Sequence, residues 1–383
     1  MLSCQKDKFS LPEGVHFLNC AYMAPQLKAV EEAGIKALIR KNDPSNIQVN
    51  DFFDNSNKIR IEFSKIINNN DPEQIALIPS VSYGIANVVN NISLSSDDEI
   101  ILLGEQFPSN VYSWIEKSRE TGANIIKVLP PEDGIDRGRI WNERILEAIG
   151  PKTKVVAMCQ AHWTDGTLFD LKSISREIHE KDGYLIVDGT QSVGAYPFNV
   201  NEIKPDALIC AGYKWLMGPY SIGAAYFSKR FNNGKPIEHP WISRMDSDNF
   251  AGLVKYEARY ESGAIRYDYG ERSNFILNAM FLTSLQQINE WGVKNIQEYC
   301  KLIIEPVIKS LNGLGYTIES SAYRTGHLFG IRLDVGLDLK SIAASLHQNN
   351  IRVSVRGSAV RVSPHLYNTR EDLEVLVACL TNL

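Results

Sequence analysis

The chain has 383 residues, of which 44% are apolar and 22% are charged, a composition typical of a globular protein with a large core. A net charge of −5 argues against a protein that binds nucleic acid or an anionic membrane. No apolar run approaches the ~20 residues of a membrane-spanning helix, and the six scattered cysteines contain no C-x-x-C pair, which predicts free thiols in a reducing cytoplasm.

The periodicity of the apolar residues predicts an α/β chain. Residues 9–19 are predicted to form an arm and residues 19–25 a loop. Apolar spacing predicts amphipathic helices at 27–41 and 51–67. A further helix is predicted at 141–149 and an extended run at 351–355. Short apolar runs that end in glycine or polar residues predict the buried strands of a mainly parallel sheet. Seven such strands are predicted, at 75–78, 99–103, 124–129, 154–158, 184–188, 207–211 and 222–227.

The residues after the first predicted strand, 79–87, predict a turn into a helix. Free backbone N–H groups and the positive end of the helix dipole make such a turn a site for phosphate. Val81, Ser82 and Tyr83 are therefore candidate phosphate-binding residues, with the Ser82 hydroxyl able to add a bond. A serine at this position also commonly caps a helix, and that alternative stays open.

The stretches that begin at Tyr184 and Ala207 predict two strand ends at one edge of the sheet. In open α/β sheets the residues just beyond such ends line the ligand crevice. Asp188 lies at the first end, and Tyr213 and Lys214 lie beyond the second. A lysine amine for a Schiff base and a carboxylate for the pyridine nitrogen are what pyridoxal 5'-phosphate (PLP) requires. The pair predicts a PLP site in which Lys214 and Asp188 are catalytic.

These residues stand in motifs that resemble a known family. Asp188-x-x-Gln191, and the run from Tyr213 to Pro219, are similar to the class V aminotransferases. This group of fold-type I PLP enzymes includes cysteine desulfurases, isopenicillin N epimerase and kynureninase. The resemblance runs from Phe17 to the C-terminus.

The resemblance implies the architecture of fold-type I enzymes, which is a mainly parallel seven-stranded sheet flanked by helices, with a smaller α+β domain. An arm at 1–20 would pack with the small domain. The large PLP-binding domain would occupy 21–255 and the small C-terminal domain 256–383. The expected protein is a cytoplasmic homodimer whose active sites lie at the subunit interface.

The resemblance also implies roles around the cofactor. Phe107, in a Phe-Pro-Ser-Asn run close to that of kynureninase, would stack on the pyridine ring. Gln191 would contact the ring or its oxygen, and the Tyr213 hydroxyl would bond the phosphate. The loop at 160–167 would bring a polar residue over the cofactor, and three neighbours there stay open as candidates: His162, Trp163 and Thr164.

The family commonly has Gly-Thr in the segment that completes the partner subunit's phosphate site. This chain has Gly270-Glu-Arg-Ser-Asn274 instead. Which of Arg272, Ser273 and Asn274 would contribute there stays open.

Arg361 is the candidate for binding the substrate carboxylate. It precedes a Tyr-Asn-Thr ending that relatives share, and the resemblance implies that it binds the α-carboxylate. A guanidinium can form two parallel bonds to a carboxylate and stays charged when desolvated. Asn19 and Tyr22, together with Ala21, would reach the substrate from the N-terminal loop. His162 is a candidate acid or base, with a bond to a backbone carbonyl as the alternative.

The reaction stays open between related chemistries. The expected function is that of a PLP-dependent aminotransferase acting on an amino acid or related amine, without a metal. The alternatives are a kynureninase-like C–C lyase and an amino-acid epimerase or β-lyase. The resemblance implies that a cysteine desulfurase would carry a nucleophilic cysteine on a loop shortly before the carboxylate-binding arginine. Residues 351–360, before Arg361, contain no cysteine, so this activity is disfavoured. The presence of both Lys214 and Asp188 argues against the hypothesis that this is a non-catalytic protein with the same fold.

Overall fold

The structure is a computed structural model that describes residues 2–132, 136–312, 314, 316–333 and 339–382. Its strands are β1 (His16–Phe17), β2 (Ile75–Ile78), β3 (Glu99–Leu103), β4 (Asn124–Val128), β5 (Thr153–Cys159), β6 (Tyr184–Asp188), β7 (Ala207–Ala211), β8 (Gly223–Phe227), β9 (Tyr316–Thr317), β10 (Phe329–Leu333), β11 (Ile351–Arg352), β12 (Ser354–Arg356) and β13 (Ala359–Val362). Its α-helices are α1 (Lys28–Arg40), α2 (Asp54–Ile66), α3 (Val81–Asn90), α4 (Tyr112–Thr121), α5 (Arg137–Ala148), α6 (Leu171–Glu180), α7 (Val200–Ile203), α8 (Phe275–Trp291), α9 (Val293–Leu311), α10 (Leu339–Gln348) and α11 (Arg370–Thr381).

Seven strands form the central sheet, in the order β2-β8-β7-β6-β5-β3-β4. Five strands, β7, β6, β5, β3 and β4, pair in parallel with their neighbours in this series. β8 runs antiparallel to both of its neighbours, β2 and β7. The prediction of an α/β fold with a mainly parallel seven-stranded sheet is confirmed. Predicted and observed strand bounds agree within one residue at each end.

Both faces of this sheet are buried. Along β2, Ile75 and Leu77 pack into one core, and Ala76 and Ile78 pack into the other. Side chains of α5 and α6 cover the first face, and side chains of α3 and α4 cover the second. Burial on both faces explains why the strand sequences are apolar at successive positions instead of alternating.

A second, antiparallel sheet follows in the order β12-β13-β10-β9. In this part of the chain, α9 packs against α11, and α10 packs against α11 and β12. β1 of the N-terminal arm pairs in parallel with β11. α8 instead packs against α1 and α2. The predicted division of the chain into domains stays a prediction.

Some local predictions differ from the structure. Residues 351–355 were expected to form one extended run, but they divide into β11 and β12, because β11 pairs with the arm and β12 pairs with β13. The helix expected at 141–149 begins earlier, at Arg137. No α-helix among the described residues combines the length and the apolar character needed to cross a membrane.

Candidate active site

Loops from several strands meet at one edge of the central sheet. The C-terminal ends of β2, β3, β5, β6 and β7 lie there, and so does the start of the antiparallel strand β8. The loops surround a cavity of about 220 Å³, which we call the inner cavity. Eight candidate residues line it: Val81, Ser82, Phe107, Trp163, Asp188, Gln191, Tyr213 and Lys214. Their convergence follows the rule that ligands bind beyond the carboxyl ends of the strands.

Asp188 is the last residue of β6 and is only 7% exposed. Its Oδ1 accepts a hydrogen bond of 2.9 Å from the backbone N–H of Thr190. Burial raises the pKa of Asp188, while the bonds from Thr190 and the charge of Lys214 oppose that rise. A buried carboxylate of this kind is stabilised by a cationic partner. A protonated pyridine nitrogen would be such a partner.

Lys214 follows β7 by three residues and is 6% exposed. Its Nζ lies 5.3 Å from the centroid of the Phe107 ring. Burial, followed by the charge of Arg361, lowers the pKa of Lys214 to about 8, while Asp188 acts in the opposite direction. Near neutral pH a much larger fraction of such an amine is neutral than of an ordinary lysine. The neutral amine is the nucleophilic form.

Aromatic rings form the walls of the inner cavity. Phe107 packs edge-on against Trp163, with ring centroids 5.5 Å apart. Tyr213 packs against Tyr220, with a centroid distance of 4.5 Å. Such walls exclude water and offer faces for a planar ring. Phe107 is therefore placed where stacking on a cofactor requires it, and that role stays a prediction.

The turn after β2 is built by Ser80, which caps α3. The Ser80 Oγ accepts a bond of 3.2 Å from the Tyr83 backbone N–H and lies 3.0 Å from the Ser82 Oγ. The Tyr83 N–H is thus already used, and the Tyr83 hydroxyl donates to the Asp268 carbonyl outside the cavity lining. Ser80, Val81 and Ser82 do line the cavity. The start of α3 can therefore receive an anion there, without Tyr83.

A second and more open cavity of about 350 Å³ adjoins the first at Lys214, and we call it the outer cavity. Arg361 of β13 lines it and is 1% exposed. The Arg361 Nη1 donates to the Trp163 carbonyl at 2.9 Å, whereas Nε and Nη2 have no hydrogen-bond partner among the described residues. Burial, and then the charge of Arg356, lower the pKa of Arg361 to about 9. Two free donors on a buried guanidinium suit a carboxylate.

The other residues expected on the substrate side differ in their placement. Tyr22 lines the outer cavity and is 55% exposed. Asn19 lies beside β12, where its Oδ1 accepts a bond of 3.0 Å from the Ser354 hydroxyl, and it lines neither cavity. The Gln191 amide donates to the Ala21 carbonyl and accepts from the Trp215 indole N–H. The ring contact implied for Gln191 stays a prediction.

The structure places His162 outside both cavities. The side chain is fully buried, its ring centroid lies 4.9 Å from that of Trp141, and its Nδ1 bonds the Thr164 hydroxyl at 2.8 Å. Burial lowers the pKa of His162, which favours the neutral ring. This position does not support the expectation that His162 acts on the substrate. Trp163 is the residue of this loop that lines both cavities.

The path of that loop has two physical causes. Gly166 has a φ of +75°, and a Cβ at this position would lie 2.1 Å from the Leu328 carbonyl oxygen, so only glycine fits. Asp165 is buried between Arg332 of β10, to which it is hydrogen-bonded, and Arg137 of α5 at 3.3 Å. These contacts fix the loop between the two sheets and leave Trp163 facing the cavities.

The three candidates near residue 270 have partners within their own subunit. The Arg272 Nε lies 3.1 Å from an Asp268 carboxylate oxygen, and Arg272 is 3% exposed. The Ser273 hydroxyl donates to the Phe52 carbonyl at 2.6 Å, and the Asn274 side chain caps α8. These contacts position the segment, and a role in the partner's phosphate site stays a prediction.

Ser80, Tyr220 and Arg356 are among the residues that line the cavities and that sequence reasoning missed. Ser80 could have been found from its position as the cap of a predicted helix. Tyr220 reaches the site because β8 is antiparallel and starts at the cavity edge, for which the sequence carries no local signal. Arg356 reaches it through the pairing of β12 with β13.

The chain belongs to the class-V aminotransferase family, whose family model matches residues 46–376. It is 25% identical over 315 residues to the uncharacterized aminotransferase YcbU of Bacillus subtilis, which covers 82% of this chain and 80% of YcbU. It is 23% identical over 314 residues to the kynureninase of Bacillus anthracis, which covers 79% of this chain and 72% of the kynureninase.

Two solved structures share the fold. The cysteine desulfurase CsdA from Escherichia coli has a TM-score of 0.83 at 18% identity, with 98% of this chain and 96% of CsdA covered. The protein C-DES, in a variant with glycine covalently linked to its PLP cofactor, has a TM-score of 0.85 at 20% identity, with 99% of each chain covered. The fold-type I architecture expected from the sequence is confirmed.

Membership in this family identifies PLP as the cofactor, and the residues of the inner cavity fit it. The buried Asp188 carboxylate would be stabilised by the protonated pyridine nitrogen of PLP, and the amine of Lys214 lines the same cavity. Ser80 and Ser82, at the start of α3, offer hydroxyl and N–H groups to a phosphate. The aromatic walls suit a planar ring between these two ends.

Proposed function

We propose that this protein is a PLP-dependent aminotransferase that acts on an α-amino acid. PLP, when linked to Lys214, supplies an electron sink for the charge that develops at the substrate Cα. One observation carries the proposal: Lys214 and Asp188 line one cavity, next to a buried Arg361 with two free donors.

Asp188 and Lys214 have complementary roles in this proposal. The Asp188 carboxylate keeps the ring nitrogen of the cofactor protonated, because a buried carboxylate is most stable opposite a cation. Lys214 Nζ is neutral for part of the time near pH 7.5 and can accept the proton of the substrate Cα. The rings of Phe107 and Trp163 line both cavities and flank this proton path.

Arg361 orients the substrate. Its Nε and Nη2 bond the two oxygens of the α-carboxylate, while the bond from Nη1 to the Trp163 carbonyl fixes the plane of the guanidinium. A fixed carboxylate also fixes the direction of the Cα proton with respect to Lys214. The opposite end of the site, at Ser80 and Ser82, holds the phosphate of the cofactor.

The desulfurase reaction lacks its nucleophile at this site. That reaction requires a reactive thiolate close to the substrate sulfur. Among the described residues that line the two cavities, Cys159 is the sole cysteine, and burial raises the pKa of its thiol well above the usual range. Transfer of an amino group requires only the lysine, the carboxylate and the arginine found here.

The test is a titration of the PLP-loaded enzyme with a panel of amino acids, followed by the visible absorption band of the lysine-bound cofactor. An aminotransferase loses this band with its amino acid and regains it when a 2-oxo acid is added. Release of alanine or a keto acid without an acceptor would indicate a kynureninase-like lyase or a β-lyase. Inversion of the amino acid without net change would indicate an epimerase.

We also propose that the protein acts as a cytoplasmic homodimer. Exposed apolar side chains in the segment after β8 support an interface there, since Tyr256 is 98% and Val254 is 81% exposed. Sedimentation of the purified protein tests the dimer, and a monomer over the working concentration range would contradict it.

A further inference from the structure

We propose that the substrate carries a second acidic group, and that Arg356 binds this group while Arg361 holds the α-carboxylate. The proposed substrate class is therefore that of α-amino acids with an acidic side chain. This inference rests on the proposed function, because it assigns Arg361 to the α-carboxylate of an amino acid.

The β12–β13 hairpin places the two guanidinium groups on one face. In its register, Ser354 pairs with Arg361 and Arg356 pairs with Ala359. Residues directly opposite share a face, and so do residues two apart on one strand, so Arg356 and Arg361 point to the same side as diagonal neighbours. Their Cβ atoms are then about 7–8 Å apart or less. Gly357, at a φ of +54°, makes the tight turn between the strands possible.

Both guanidinium groups face the outer cavity together with Lys214. All charged residues that line this cavity, within the part of the chain that the structure describes, are cations. Neither arginine has an ion-pair partner among the described residues. Within the described chain, Arg356 donates only to the adjacent Val355 carbonyl, and it lies 5.7 Å from the centroid of the Trp163 ring. The cavity is therefore positively charged and has not been neutralised within the described chain.

The donors of Arg361 are sufficient for one carboxylate. Its two unpartnered nitrogens match the two oxygens of an α-carboxylate, and its third nitrogen is occupied by the Trp163 carbonyl. A substrate with one carboxylate would therefore leave Arg356 without an anion. Mutual repulsion also contributes to the lowered pKa of Arg361, and a second negative charge would relieve it. A dianionic substrate satisfies both arginines.

The experiment measures binding with ligands that cannot react, because they have no amino group. Succinate and glutarate are titrated into the PLP-loaded enzyme and compared with butyrate and pentanoate, which have the same lengths and one carboxylate. Binding is read from the change in the visible spectrum of the cofactor. We expect the dicarboxylates to bind about 10- to 100-fold more tightly, the range of one bond between charged groups.

Arg356→Gln should remove this preference and leave the affinity for butyrate within about twofold, since a rim charge contributes little to a ligand that it does not contact. Arg352→Gln is the matched control, because it removes the same charge four residues earlier, where Arg352 donates to the His347 carbonyl and lines neither cavity. Arg356→Lys, which keeps the charge in the hairpin, should retain part of the preference. Thermal unfolding of each variant confirms that the variants are folded.

Two results would overturn the inference. The first is equal binding of dicarboxylates and monocarboxylates by the wild-type enzyme. The second is an Arg356→Gln variant that loses affinity equally for both, which would mean that both arginines bind one carboxylate. Either result leaves the proposed function intact, provided that amino acids still discharge the visible band. Absence of any lysine-bound cofactor would instead contradict the proposed function itself.

Discussion

Replacing Arg361 by alanine removes the guanidinium that we assign to the substrate carboxylate. Its Nε and Nη2 are the two free donors, and each hydrogen bond between charged groups contributes about 1.5–3 kcal/mol. Two bonds at the lower limit amount to about 3 kcal/mol, which corresponds to a loss in affinity of about 140-fold. The lower limit applies, because the outer cavity is open to water that can replace part of the lost interaction. We therefore expect an increase of about 10²-fold in the Kd of the substrate.

The assay compares an amino acid that discharges the visible band with the amine that lacks its carboxylate. Kd and kcat/KM are measured for both ligands with the wild-type enzyme, with Arg361→Ala and with Arg361→Lys. Arg361→Ala should lose the preference for the amino acid and should bind the amine about as well as the wild type does. Lysine keeps one point charge but not the two parallel donors, so Arg361→Lys should fall between the two. An equal loss for amino acid and amine would refute the assignment, since it would show that Arg361 shapes the site without binding the carboxylate.

Three further predictions follow from the site. Burial lowers the pKa of Lys214 to about 8, so the rate at which cofactor-free protein takes up PLP should rise with pH, with a midpoint near 8 instead of 10.5 and a plateau above it. Stopped-flow absorbance measures this rate. Arg356→Gln should move the midpoint upward, because the charge of Arg356 also lowers the pKa of Lys214. Asp188→Asn keeps the shape of the side chain but removes the charge opposite the ring nitrogen, so kcat should fall by about 10²-fold or more with the fold intact by circular dichroism. His162→Asn should lower the free energy of unfolding by about 1–3 kcal/mol, because His162 packs against Trp141 in the core. The substrate KM should not change. A large rise in KM without a loss of stability would contradict the placement of His162 outside the cavities.

The central sheet was predictable because its strands are short apolar runs, and all of them except the edge strand β4 are buried along most of their length. The pairing partners of these strands carry no such local signal. The antiparallel direction of β8 and the break between β11 and β12 depend on neighbours far away in the chain. α11, which starts directly after the Tyr-Asn-Thr motif, was not predicted.

The same distinction holds for the active site. The positions of Asp188 and Lys214 were predictable because Asp188 ends a buried strand, Lys214 follows another, and parallel strand ends meet at one edge. The choice between His162 and Trp163 was not predictable, since it depends on a loop path that Gly166 and the bond between Asp165 and Arg332 determine together. Arg356 was missed for a related reason: only the hairpin register places it beside Arg361.

The central claim is that PLP is linked to the amine of Lys214. The most direct test is borohydride reduction of the PLP-loaded enzyme, which makes the linkage permanent, followed by proteolysis and mass spectrometry of the peptides. The account predicts that the phosphopyridoxyl group is found on the peptide that contains Lys214, and that Lys214→Ala abolishes the labelling while the protein stays folded. Labelling of a different lysine, or no labelling of a protein shown to be folded, would contradict it.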